Sequence, residues 1–360
     1  MTDPVTDPVT DPATDLAVDT FTDGAADQPG SDQPGSDQPG SDHSDEADSD
    51  RRVFGGGRRR DDHHEEPFEK KPSVVALGGG YGLSTTLRAL RRYAGFISGI
   101  VSVADDGGSS GRLRKAFGIP APGDLRRCLV ALAEPGSAWA EAFEHRFAAS
   151  ELEGHPLGNI VIAGLTETLG DFGAAIDVCL EMLGGVGHLI PASREPVVLK
   201  ATYRYGRASG EVEGEAEIGK TAGIMAVSII PEEPKVSADA LDAIAEADQI
   251  VIGPGSLYTS LLAVLAIPSI RTALADSRAR KVYVANLAEQ HPETTGYDVA
   301  RHVQALQAHG VEVDVVLRDP DRLPLGHLVG PTVIDWPMAD SRGLHDPEHL
   351  AAALRRLARP

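Results

Sequence analysis

Ser73-Val74-Val75-Ala76-Leu77-Gly78-Gly79-Gly80-Tyr81-Gly82-Leu83-Ser84 is the stretch that decides the fold. Its first half is a short β-branched and apolar run, the pattern of a buried parallel strand. Its second half is a glycine turn, and from Leu83 to Tyr93 the apolar positions Leu83, Leu87 and Leu90 recur at helical spacing. Ile97 to Val103 then reads as a second strand, ending in Ala104-Asp105-Asp106-Gly107-Gly108-Ser109-Ser110-Gly111. Glycine turns at the ends of successive strands let bare backbone N–H groups approach phosphates, and a helix N-terminus adds favourable partial charge there. The spacing predicts an α/β, doubly wound and mostly parallel sheet that binds a phosphorylated nucleotide.

Further along, Gly118–Asp124 is a loop leading to a helix over Leu125–Glu134, with Asp124 placed to cap it. More helix is expected over 137–149 and after His155-Pro156-Leu157-Gly158-Asn159. Val197–Glu217 alternates polar and apolar residues and reads as a β-hairpin inserted between the halves of the sheet. The nucleotide-fold pattern resumes with Gln249-Ile250-Val251-Ile252, which runs into Gly253-Pro254-Gly255-Ser256 and another helix start. A strand at Lys281–Ala285 ends at Asn286, followed by a helix near Asp298–Ala308, a strand at Val311–Leu317 and a final helix at Pro347–Ala358.

Composition divides the chain at about residue 71. Residues 1–50 carry 14 acidic side chains and no Lys or Arg, so most of the net charge of −21 belongs to this tail. Its Thr-Asp-Pro and Gln-Pro-Gly-Ser-Asp repeats offer too little apolar surface to offset chain entropy, and disorder is expected. Arg51-Arg52, Gly55-Gly56-Gly57 and Arg58-Arg59-Arg60 read as a linker, without a nucleic-acid role. Residues 72–360 are the expected ligand-binding domain. The sequence has no apolar run of membrane-span length and no basic, apolar leader, so a cytoplasmic protein is expected. Cys128 and Cys179 sit in helix-like patterns and read as reduced core residues.

The three strand-end turns concentrate the candidate ligand residues: Gly79, Gly80, Tyr81, Gly82 and Leu83; Asp105, Asp106, Ser109, Ser110 and Arg112; and Gly253, Pro254, Gly255 and Ser256. An acid after the second strand can accept from a ribose hydroxyl. Asp105 or Asp106 can equally hold a divalent cation, or one of them can cap the next helix while the other faces ligand. Ser109, Ser110 and Arg112 suit phosphate contacts, Arg112 through a bidentate pair. His155 and Asn159 flank a helix start, and His155 reads either as structural or as an acid–base or ligand group. The spacing Gly-Gly-Gly-x-Gly is not the dinucleotide G-x-G-x-x-G fingerprint, which counts against a nicotinamide-dependent oxidoreductase, and the sequence contains no Walker A lysine or nucleophile elbow.

Taken together, Gly78–Ser84, Val103–Arg114, Pro122-Gly123-Asp124, His155–Asn159, Gly170-Asp171-Phe172 and Gly253–Ser260 resemble the YvcK family of gluconeogenesis factors, over about Pro72–Leu354. The wider superfamily includes CofD, the 2-phospho-L-lactate transferase of deazaflavin coenzyme synthesis. The resemblance implies a Rossmann-like fold and, for the YvcK branch, binding of UDP-sugars such as UDP-N-acetylglucosamine. It also implies a regulatory role in growth on gluconeogenic carbon, cell shape and envelope synthesis, with protein partners there and no required cofactor; a homo-oligomer is expected. For the CofD branch it implies a transferase using a divalent cation such as Mg²⁺. The chain departs from the family at Tyr81, where Thr is usual, and in Asn286–Tyr297, which keeps Asn286, Glu293, Thr294 and Gly296. Asn286 is accordingly a further candidate ligand residue.

Overall fold

The computed structural model of the chain describes residues 71–358. The acidic tail and the Arg/Gly linker therefore lie outside the described residues, apart from Lys71.

The described chain opens with β1 (Ser73–Gly78), α1 (Gly80–Leu90), β2 (Phe96–Val101), α2 (Gly108–Phe117), α3 (Gly123–Leu132), α4 (Ala138–Glu144), α5 (Leu157–Leu169), α6 (Phe172–Met182) and β3 (His188–Pro191). An inserted unit follows, with β4 (Val198–Tyr205), β5 (Ala208–Glu213), the short α7 (Glu215–Ile218) and β6 (Ile224–Ile230). The second half of the main sheet brings α8 (Ala238–Glu246), β7 (Gln249–Ile252), a π-helical turn at Leu257–Leu261 continued by α9 (Leu262–Leu265), α10 (Pro268–Asp276) and β8 (Arg280–Val284). It ends with α11 (Val299–Ala308), β9 (Val315–Arg318), β10 (Thr332–Asp335) and α12 (Pro347–Leu357).

The main sheet has seven strands in the order β10-β9-β8-β7-β1-β2-β3. All its neighbouring pairs are parallel. Chain order runs outward from β1 through β2 to β3, then restarts on the other side at β7. The crevice between β1 and β7 is thus the topological switch point, where open α/β sheets bind ligands beyond the strand C-termini. The apolar runs explain the arrangement. Val74, Val75, Ala76 and Leu77 of β1 and Ile250, Val251 and Ile252 of β7 are buried, as strands covered on both faces must be. Leu83, Leu87 and Leu90 form the inward stripe of α1 and are fully buried, each contributing roughly 1.5–3 kcal/mol of hydrophobic stabilisation. Gln249 is the polar residue of β7 in this core. Its side chain accepts from the Tyr93 hydroxyl (2.6 Å) and donates to the Leu354 carbonyl (3.1 Å), joining the turn after α1, β7 and α12.

Besides elements that the sequence reading did not assign, among them β3, α6, α8, α10 and β10, the fold differs from that reading in four places. The inserted hairpin is there, β4 against β5 across the two-residue loop Gly206-Arg207, but β6 adds a third antiparallel strand in the order β5-β4-β6. Helix over 137–149 shortens to α4, because the chain beyond it turns so that Arg146 bridges Pro156. Strand β9 starts at Val315 rather than Val311. Finally, α3 begins at Gly123, which moves Asp124 from the cap position into the first helical turn. Cys128 and Cys179 are free and buried, as expected. Among the described residues, no single helix is long and apolar enough to cross a membrane.

Candidate functional site

A cavity of about 360 Å³ opens at the switch point. Gly79, Gly80, Tyr81 and Gly82 from the β1–α1 turn line it, and Gly255 and Ser256 enter from the turn after β7. Asp105 follows β2, and Asp124 and Arg127 come from α3. Glu215, Ser260 and Gln290 complete the wall. Eight sequence-predicted residues therefore meet in one place, joined by four that the sequence did not single out.

The two glycine turns interlock. A Cβ at Gly82 would collide with the Pro254 carbonyl and crowd Gly255, so only glycine lets the first turn of α1 lie against the β7 turn. Gly79 is the N-cap of α1 and offers no capping side chain. The place that such a side chain would take is filled by the Asp124 carboxylate, which a Cβ at Gly79 would strike. Asp124 accepts from the Gly80 N–H and from Arg127 Nη1 (2.9 Å). Burial, then the nearby Asp105, push its pKa up to about 6, with Arg127 offsetting part of the rise.

Neither aspartate of the second turn caps α2, whose N-cap is Gly107. Asp105 lines the cavity while its Oδ1 accepts from the Gly107 N–H (2.9 Å). Asp106 turns the other way and accepts from the Ala216 N–H (2.9 Å), tying the inserted unit to the main sheet through α7. That contact delivers Glu215 to the cavity. Burial raises its pKa well above the carboxylate range, and Asp105 and Asp124 raise it further, so Glu215 holds its proton at neutral pH. The protonated Glu215 and the Arg127 guanidinium thus lessen the negative charge that three acids would otherwise present to an anionic ligand. Among the described residues, no group of three or more His, Cys, Asp or Glu side chains is arranged to hold a metal. Mg²⁺ is commonly bound by one or two carboxylates with substrate phosphates supplying the rest, and Asp105 or Asp124 fits only that mode.

The remaining predicted residues build the walls. Leu83 is core. Ser109 Oγ is held by His155 Nδ1 (2.8 Å) and Asn159 Nδ2 (3.0 Å), which fastens the start of α2 to the start of α5. His155 is buried, and its burial together with Arg112 and Arg146 lowers its pKa, favouring a neutral ring. Ser110 is buried where a Cβ on Gly123 would meet it. Arg112 Nη2 donates to the Glu153 carbonyl (2.8 Å). The Gly253 carbonyl accepts from Thr86 Oγ1 (2.9 Å), and Asn286 Oδ1 accepts from the Gly255 N–H (3.2 Å). Glu293, unassigned by the sequence reading, holds the same turn from below, accepting from Ser256 Oγ and from the Tyr258 N–H (2.6 Å).

Of the four lining residues that the sequence did not single out, Arg127 carried a signal. It stands three positions after Asp124, the spacing at which opposite charges meet on a helix. Ser260 follows on the helical turn after Gly253–Ser256, within a quoted motif but not assigned to ligand, whereas Glu215 and Gln290 arrive through tertiary contacts.

The profile of the family described as 2-phospho-L-lactate transferase CofD matches residues 74–329. The gluconeogenesis factor of Halalkalibacterium halodurans is 44% identical over 253 residues, 69% of this chain and 78% of that protein. A Nostoc sp. protein named as a candidate gluconeogenesis factor is 45% identical over 239 residues, 66% of this chain. The alignment spans about half, 52%, of that longer relative. Among solved structures, a UPF0052-family protein of Bacillus halodurans superposes with a TM-score of 0.75 at 38% identity, covering 79% of this chain and 99% of its own.

Proposed function

From the premise that this chain belongs to the CofD family, alongside the relatives named gluconeogenesis factors, we propose that its cleft binds a UDP-sugar of the UDP-N-acetylglucosamine kind. In this reading the protein is a cytoplasmic regulatory factor that couples carbon supply to envelope synthesis and cell shape. One observation carries the ligand class: glycine-lined turns from β1 and β7 close on one cavity, with the first turn of α1 exposing backbone N–H groups to it. Such a terminus favours phosphate through both hydrogen bonding and the helix dipole. The cavity of about 360 Å³ also falls within the range of small-molecule sites.

The convergence of Asp105, Asp124 and Glu215 on the same cavity favours a second reading. In it the protein is a phospholactate transferase acting on a deazaflavin precursor, with Mg²⁺ held between a carboxylate and the donor phosphates. Isothermal titration of the full chain separates the two readings, with UDP-N-acetylglucosamine as ligand and GDP and NAD as controls. Saturable heat selective for the UDP-sugar is expected. No such heat, with Mg²⁺-dependent GDP binding instead, overturns the regulator reading in favour of the transferase.

A further inference from the structure

We propose that Tyr81 is the stacking platform for the aromatic base of the bound nucleotide, an assignment that rests on the nucleotide-sugar reading above. Tyr81 is the second residue of α1, inside the glycine turn, and it lines the cavity. Its side chain is 76% exposed, in contrast to the buried residues that follow it in α1. A lone exposed aromatic is ordinary on a protein surface. What sets Tyr81 apart is that its ring is held. The Arg127 guanidinium carbon stands 4.6 Å from the ring centroid, covering one face in a cation–π contact. Arg127 is itself fixed by its ion pair with Asp124, which in turn is bonded to the Gly80 N–H of the same turn. Carboxylate, guanidinium and ring form a short relay that orients the aromatic plane beside the phosphate turn and leaves solvent on its other side.

A nucleotide whose phosphates sit on the first-turn N–H groups of α1 carries its base within reach of that free face. Every nucleobase has a π-face, and aromatic side chains stack on it without reading its hydrogen-bonding edge. The ring therefore contributes affinity for a base, while base identity is read elsewhere. Arg127 and Asp124 act as positioning residues, since they touch the ring and its support rather than the base.

The test is titration of full-length wild type, Tyr81→Leu and Tyr81→Trp with UDP-N-acetylglucosamine, UDP and pyrophosphate. Tyr81 is exposed, so both variants are expected to fold. For Tyr81→Leu, the expected result is about a tenfold loss of affinity for both UDP and the UDP-sugar, with pyrophosphate unchanged and Trp restoring binding. Unchanged UDP affinity in Tyr81→Leu overturns the platform while leaving the nucleotide reading intact. A loss confined to the UDP-sugar means that the ring holds the sugar, and an equal loss for pyrophosphate means that the substitution disturbs the phosphate turn; either result overturns the proposal. Wild type that binds none of the uridine ligands overturns the nucleotide-sugar reading, and this assignment with it.

Discussion

Helices α1 and α11 do the same topological job and start in opposite ways. Each crosses from one parallel strand to its neighbour, β1 to β2 and β8 to β9, so both begin at the C-terminal edge of the sheet. α11 is closed by its own N-cap, Asp298, whose Oδ1 accepts from the Arg301 N–H (2.8 Å). α1 starts at Gly79 and borrows Asp124 from α3 for a single N–H. A self-capped helix is finished as structure. A helix that borrows its carboxylate keeps first-turn donors open to the cavity, and the borrowed group has a pKa near neutrality. That contrast separates a binding terminus from a structural one, and substitutions can break it.

The largest effect is expected from Gly82→Val. Any Cβ at this position meets the Pro254 carbonyl and Gly255, so the β1 and β7 turns must separate. Overpacking of this kind typically lowers stability by about 1–3 kcal/mol. The displaced turn should also lower nucleotide-sugar affinity by about a hundredfold, the consequence of losing several oriented donors at once. Urea unfolding and calorimetric titration read the two effects separately. Retained affinity would mean that the interlocked turns do not form the binding surface.

The borrowed carboxylate predicts a pH dependence of stability. Asp124 has a folded-state pKa of about 6 against an ordinary 3.8, raised by burial and by Asp105. The folded protein thus holds this proton more tightly than the unfolded chain. The associated stability is full below about pH 4 and is lost as pH rises through 6, a change on the order of 3 kcal/mol. Glu215, raised for the same reasons, extends the trend toward alkaline pH. Asp124→Asn should flatten the part between pH 4 and 6 in urea titrations. Affinity for a UDP-sugar, whose diphosphate does not titrate in this range, should rise in wild type as pH falls from about 8 to 5. A flat stability profile in wild type would contradict the buried placement of Asp124.

The same two regions show what the sequence made legible. Val74–Leu77 and Gln249–Ile252 are short apolar runs closed by glycines, and local pattern alone assigns both to central strands. From these runs the cleft follows, because parallel strands bring their C-terminal turns to one edge. The partners across the cleft were not legible. Asp124 looks like the cap of its own helix, and its real bond to Gly80 joins positions 44 residues apart. Asp106 reads as a ligand group, yet its carboxylate anchors the inserted unit at Ala216. Strand β6 escaped because Ile224–Ile230 is only loosely alternating, and β3 because its four-residue run ends in proline. Periodicity reports which face a residue shows, but not which distant residue waits there.

The smallest predicted effect is the most discriminating for the contrast. Asp298→Ala removes the self-supplied cap of α11 and leaves the Arg301 N–H without its acceptor. Loss of such a cap lowers stability by about 1 kcal/mol, visible as a shift in the urea midpoint at unchanged slope. The Asp298 carboxylate acts within its own helix start, so nucleotide-sugar affinity should stay within about twofold of wild type, less than half a kcal/mol. Asp124→Asn should do the reverse, moving affinity and its pH profile through the Gly80 N–H and the Arg127 contact. If Asp298→Ala weakens ligand binding as strongly as Asp124→Asn does, the start of α11 is also part of the binding surface. The division between borrowed and self-supplied caps would then not mark where ligand binds.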